Sequence, residues 1–212
     1  MMFETFKRYF LRDAGPTSSG PLTDSSSGAN LRPEAAKLFA EFGGSSFNGG
    51  LYRVVRVSSL DTWAGRVGGA FPEFKGRITC FGYDWLGRAF AIDERRLEGG
   101  MPGVVMFEPG TGQALKIPAN IETFHDDELV NFGESALAVD FCRRWQKLVP
   151  TKLEYDQCAG YRKPLFLGGV DDVENLELSD IDVYWHIFGQ LILKAKGLLV
   201  GTQIRISDPS GR

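Results

Sequence analysis

The sequence predicts an α+β fold: a mostly antiparallel central sheet flanked by helices, preceded by an N-terminal helix and a flexible linker. Three observations predict it. Residues 77–93 and 102–118 each read as two β-rich arms around a Gly- or Pro-containing turn, and short connections of this kind favour antiparallel pairing. Apolar residues recur at helical spacing around residues 33–42, 60–71, 120–148 and 179–196. The composition is globular, with 43% hydrophobic and 24% charged residues among 212, so a core forms without disulfide staples.

The opening MMFETFKRYFLRD places Phe3, Phe6, Phe10 and Leu11 on one helical face, with Lys7, Arg8 and Arg12 partly opposite. That face packs on the chain's own body, the commoner case, or docks on a membrane surface or partner. The stretch has no uninterrupted apolar core and no small-residue cleavage site, so it does not read as a secretory signal. AGPTSSGPLTDSSSGAN, residues 14–30, is a Gly/Pro/Ser/Thr connector with little to bury. Pro33 stands early in the next helix, which carries Ala35, Ala36, Leu38, Phe39 and Phe42.

GGSSFNGG, residues 43–50, stops that helix. LYRVVRV, residues 51–57, is a strand, and Ser58-Ser59 forms an N-cap region for a helix bearing Leu60, Trp63, Ala64 and Val67. The first hairpin has arms Arg77–Tyr83 and Arg88–Asp93; the second turns at Pro109–Gly112. Helices follow over 120–132 and 135–148, the latter ended by Pro150. Lys163–Leu167 reads as a short strand, Gly168-Gly169 as a turn, Ser179 to Lys196 as the last helix, and residues 207–212 as a frayed tail. The chain divides into three parts: 1–30, 31–119 and 120–212.

No catalytic or metal-binding set stands out, so the chain does not read as an enzyme and no cofactor is implied. Its histidines are His125 and His186, and no signature joins either to Cys80, Cys142 or Cys158. Three cysteines without a CxxC imply no disulfide framework, as suits a reducing cytoplasm. His125-Asp126-Asp127-Glu128 cannot put four consecutive side chains on one helical face, and reads as a solvated acidic turn rather than a metal site. GGSSFNGG lacks the Lys-Ser/Thr end of a phosphate loop and precedes a strand. No apolar run is long enough to span a bilayer.

Charge is distributed unevenly. Residues 1–119 hold 14 Lys and Arg against 12 Asp and Glu; residues 120–212 hold 10 against 15. The chain therefore lacks the basic balance of a nucleic-acid binder. Asp171, Asp172, Glu174, Glu177, Asp180 and Asp182 are six acids in twelve residues without a Lys or Arg among them. Capping of the last helix accounts for Asp180 and Asp182 only. The remainder is a solvated surface or an acidic face for a basic protein. Glu122, Asp126, Asp127, Glu128 and Glu134 form a second acid-only run. Trp85, at the first hairpin's tip, either anchors an interface or caps the core.

LFLGGVDDVENLELSDIDVYWHIFGQL, residues 165–191, resembles the C-terminal domain of immunity proteins that guard against type VI secretion DNase effectors. FNGGLYRVVRVSSLDTW, residues 47–63, resembles the GAD-related segment of such proteins, and FGYDWLGRAFAID, residues 81–93, their central hairpin. Together the resemblance spans most of residues 35–196, leaving the first 30 outside it. It implies a GAD-related part over 31–119, an immunity-type part over 120–212, and a cytoplasmic antitoxin without chemistry of its own. The partner would be a cognate nuclease toxin held by a monomer or in a 1:1 complex, with no direct nucleic acid or membrane contact. Charge and aromatic placement assign the contact to the 171–182 acids with Trp85, Asp126, Asp127 and Glu128. The competing reading is a small-ligand-binding or regulatory module, with its ligand near GGSSFNGG and the aromatic helix.

Overall fold

A computed structural model describes residues 2–14 and 31–196. Nearly all of the expected connector, and the expected tail at 207–212, lie outside the described residues. Helix α1 (Glu4–Tyr9) is followed by α2 (Pro33–Phe42), with Pro33 at its start as expected. Strands β1 (Ser46–Phe47), β2 (Tyr52–Val54), β3 (Ile78–Asp84), β4 (Ala89–Glu98), β5 (Met101–Glu108) and β6 (Gln113–Asn120) form one antiparallel sheet in chain order. Helix α3 (Leu60–Ala70) lies between β2 and β3 in sequence. The α+β architecture read from the sequence is thus the one the chain adopts.

Burial explains the sheet. The β2, β3 and β5 positions and the first half of β4 are almost all buried, so β-branched and aromatic side chains stand there with no polar alternation. Gly87 closes the β3–β4 turn at φ 75°, where an L side chain would be strained. Beneath that turn Asp84 is fully buried. It accepts from the Arg88 guanidinium at 2.6 Å and from the Leu86 and Arg88 amides at 3.1 and 2.9 Å. An enclosed charge is tolerable only with this many partners.

After β6 the chain turns helical through α4 (Ile121–Thr123), a π-helical turn (Phe124–Glu128) and α5 (Leu129–Asn131). The continuous helix expected over 120–132 is therefore interrupted. Helices α6 (Gly133–Leu137) and α7 (Val139–Leu148) follow, separated by Ala138 at φ 50°. A second sheet pairs β7 (Gln157–Tyr161) with β8 (Leu176–Asp180), and α8 (Ile181–Ala195) closes the body.

Four further expectations need correction. Lys163–Leu167 is not a strand. Pro164 has no N–H to give a ladder, and Leu165–Leu167 form a 3-10 turn ended by Gly168 at φ 81°. Its place is taken by β7, whose QCAGY carries little β signal, and by β8, which emerges from the acid run. Ser58 and Ser59 enter a 3-10 turn, and Ser59 makes no side-chain cap to α3. Leu11 is 69% exposed, outside the buried face of α1. The β4 strand runs on through Glu98, five residues beyond the expected arm, and turns into β5 at Gly99-Gly100.

The N-terminal segment is bound to the body. Phe3, Phe6 and Phe10 are buried against Phe42, Phe47 and Tyr52. Residues 11–13 then lie along the outer edge of β1: Arg12 bridges Phe47, Asn48 N donates to the Leu11 carbonyl, and Asp13 N to that of Ser46. Buried side chains from Phe3 to Ile192 form one continuous cluster. Across it α8 packs on α3, where a Cβ on Gly189 would stand 3.3 Å from that of Ala70. Trp185 Nε1 donates to the Gly87 carbonyl at 2.9 Å, fixing α8 to the β3–β4 turn.

Candidate docking surface

The acids of residues 171–182 follow one path through the fold. They run along the 3-10 turn Val173–Asn175, down β8 and into the first turn of α8, and all six are exposed. Asn175 sets this path: its buried amide accepts from Lys163 N at 3.0 Å and donates to the Lys163 and Val170 carbonyls at 2.8 and 2.9 Å. Gly169 is needed at the same crossing, because a Cβ there would lie 2.1 Å from the Lys163 oxygen. Sequence reasoning passed over Asn175, since one Asn among acids has no spacing to mark it.

Each acid has a distinct local tie. Asp171 accepts from the Tyr161 hydroxyl at 2.6 Å; burial, then this bond, push the phenol's pKa up and keep it a donor. Asp172 accepts from Val173 N at 2.6 Å and lies 3.6 Å from Arg144. Glu177 is 3.5 Å from Arg162. Asp180 caps α8 by accepting from Asp182 N at 2.9 Å and Val183 N at 3.1 Å. Asp182 accepts from Arg66 Nε at 2.6 Å. Glu174 makes no hydrogen bond or ion pair with the described residues. The capping expected of Asp180 holds, and Asp182 lies in the first turn of α8 as expected while also pairing with Arg66 of α3. Apolar groups interrupt the acids, with Leu178 at 42%, Val183 at 54% and Ile187 at 46% exposure.

The other candidate residues lie elsewhere. Trp85 is fully buried. Its indole donates to the Leu137 carbonyl at 2.8 Å and its ring meets Phe141 and Trp145, so it caps the core and offers no surface to a partner. Asp126 is half-buried, and its carboxylate accepts from the Phe3, Thr5 and Phe6 amides at 2.9, 3.0 and 3.0 Å. It caps α1 from a distant part of the chain and is not a free docking charge. Asp127 is exposed and accepts from Asn131 at 2.7 Å, whereas Glu128 is half-buried, which raises its pKa together with the neighbouring Asp127. The His125–Glu128 stretch is thus a π-helical turn with a buried first residue, not the solvated turn expected.

The remaining chemistry is enclosed. His125 is fully buried, its Nδ1 2.7 Å from the Ile121 carbonyl and its Nε2 3.0 Å from the Tyr52 hydroxyl. Burial pushes its pKa down to about 4. Burial pushes the Cys80 and Cys142 thiols up to about 12 and raises Cys158 as well, so none presents a thiolate near neutrality. The glycine-rich segment already holds an anion of its own. Asp13 accepts from Gly49 N at 2.7 Å, Gly50 N at 2.9 Å and Ser46 Oγ at 2.6 Å. A cleft of about 590 Å³ beside it is lined by Arg12, Ser45, Arg56, Tyr155 and Asp180, among others. Among the described residues no His, Cys, Asp and Glu side chains gather as a metal site, and no helix is long and apolar enough to cross a membrane.

Comparison with known proteins gives a match over part of the chain. A family model described as "T6SS immunity protein Tdi1, C-terminal" matches residues 146–192, from the end of α7 through β7 and β8 into α8. The match does not reach residues 47–63 or 81–93. The whole architecture is similar to that in "Crystal structure of Atu4351 from Agrobacterium tumefaciens", with a TM-score of 0.63, 15% identity and 89% of each chain covered. At that identity the likeness concerns the fold. No curated protein matches the chain.

Proposed function

We propose that this chain is an immunity protein that binds and neutralises a cognate type VI secretion DNase toxin in the cytoplasm. It acts as a binder, not as an enzyme, in a 1:1 complex. The observation that carries this reading is the match of residues 146–192 to the C-terminal part of a type VI secretion immunity protein. The exposed acids of 171–182 fall wholly inside the matched stretch and supply the means. A nuclease grips phosphates with Lys and Arg, and an acidic surface attracts that same basic face. Asp171, Asp172, Glu174, Glu177, Asp180 and Asp182 form the contact, whereas Trp85 and Asp126 support the fold. Asp127 and Glu128 lie beside α1 and have a secondary part at most.

The test is rescue. The reading frame beside this chain's gene is expressed as a toxin, with and without this chain. Survival, and a co-purifying complex with an inactive toxin variant, are the expected results. The double change Glu174→Lys and Glu177→Lys spares every cap and should weaken the complex tenfold or more while flattening its salt dependence. Poisoning that proceeds unchanged in the presence of this chain overturns the proposal.

A further inference from the structure

Among the described residues, the outer edge of β8 is left open in the middle of the proposed contact. Antiparallel partners alternate between pairs that exchange hydrogen bonds and pairs that do not. Ile181 N donates to the Asp156 carbonyl at 3.0 Å and Arg162 N to that of Asn175 at 2.7 Å, which fixes the phase of the β7–β8 ladder. Cys158↔Ser179 and Gly160↔Glu177 therefore carry the bonds, and Ala159↔Leu178 is a non-bonded pair. The N–H and C=O of Leu178 point away from β7. The same alternation is visible on the far side of β7, where Ala159 N turns outward and donates to the Trp85 carbonyl at 2.7 Å. Leu178 has no such neighbour among the described residues.

The other sheet ends are protected. Residues 11–13 lie along β1, and β6 carries Lys116 and Pro118, residues that discourage pairing. The β8 strand has neither a proline nor a lysine. Its exposed positions are Glu177, Leu178 and Asp180, with Glu174 before it and Asp182 after it. A second copy of the same strand would set acid against acid, which disfavours self-pairing. A strand flanked by Lys or Arg meets the opposite situation, with Leu178 supplying an apolar contact.

We propose that β8 takes up an extended, basic-flanked segment of the toxin as an added antiparallel or parallel strand, bonded through the outward N–H and C=O of Leu178. This rests on the proposed immunity function and specifies how the partner is held. Main-chain bonding supplies affinity, and the flanking acids select the sign of the partner's charge.

Leu178→Pro removes the outward N–H and leaves the ladder to β7 intact, because proline is tolerated on an edge. It should weaken binding of the inactive toxin variant at least tenfold, while Leu178→Thr, which keeps the N–H, should bind within about threefold of the unchanged chain. Hydrogen exchange on the unchanged chain gives a second readout: the Leu178 amide should exchange quickly alone and slowly in the complex. Binding by Leu178→Pro equal to that of the unchanged chain, with no new protection, overturns strand addition. Slow exchange already in the free chain overturns it too, since the edge would then be held without the toxin. If Glu174→Lys with Glu177→Lys abolishes binding while Leu178→Pro does not, the toxin-binding reading stands and the strand mode falls.

Discussion

His125 shows how enclosure changes a residue's chemistry. A histidine beside three acids invites a reading as ligand or base, but its ring is packed among Phe3, Phe6, Phe81 and Phe124. Its folded pKa of about 4 lies below the ordinary value of 6.5. The unfolded chain therefore binds the proton more readily, and the stability contributed by the neutral ring is complete above pH 6.5. It is lost as pH falls towards 4, to a total of about 3 kcal/mol. An NMR titration should show the His125 ring neutral at pH 6, and urea midpoints should fall across that window. A ring titrating near 6.5 in the folded protein would refute the enclosure. Asp84 makes the complementary case: Asp84→Ala strands Arg88 in the core and should cost about 3–5 kcal/mol in urea unfolding. Neither enclosure was legible in the sequence, because the residues that shut out solvent come from distant parts of the chain even where hydrogen-bond partners such as Arg88 are local; Trp85 was open between core and surface for the same reason.

At the scale of elements, two helices depend on carboxylates. Helix α1 has only six residues, too few to persist alone in water. Three amide bonds to Asp126 and the burial of Phe6 hold it. Asp126→Ala should cost about 1–2 kcal/mol and speed exchange of the Thr5 and Phe6 amides, while Phe6→Ala should cost about 3–5 kcal/mol. Asp180→Ala should cost about 1 kcal/mol through loss of the α8 cap, and urea unfolding separates that loss from any change in toxin affinity. Helices with apolar residues at helical spacing, such as α2 and α3, and the β3–β4 and β5–β6 hairpins, with β-rich arms around turn residues, were legible in the sequence. The second half of β4 was not, because Glu94, Arg95 and Leu97 are exposed and leave no buried face to mark. In β8 the acid run masked a Leu-Glu-Leu alternation that signals a strand.

For the whole molecule, the charge imbalance between halves becomes a surface only because the acids of 171–182 remain solvent-facing along a single path. Arg66, Arg144 and Arg162 offset part of it locally. The field is therefore expected to act on encounter more than on lifetime. On the proposed function, the association rate with the toxin should fall about tenfold or more between roughly 0.05 and 0.5 M salt, with the dissociation rate changing less, as read by stopped-flow mixing. A rate indifferent to salt would count against charge steering. The α+β class and the acid run were legible in the sequence, whereas the surface they form required the Asn175 crossing and the β7–β8 pairing.

The bond from Phe6 to Asp126 spans 120 residues. On a ribosome adding roughly 5–20 residues per second, the first helix waits on the order of ten seconds for its cap. Trp185, which fastens the last helix beneath the β3–β4 turn, emerges later still. If the chain acts as proposed, a nascent copy protects poorly, and protection would rest on the stock of finished molecules.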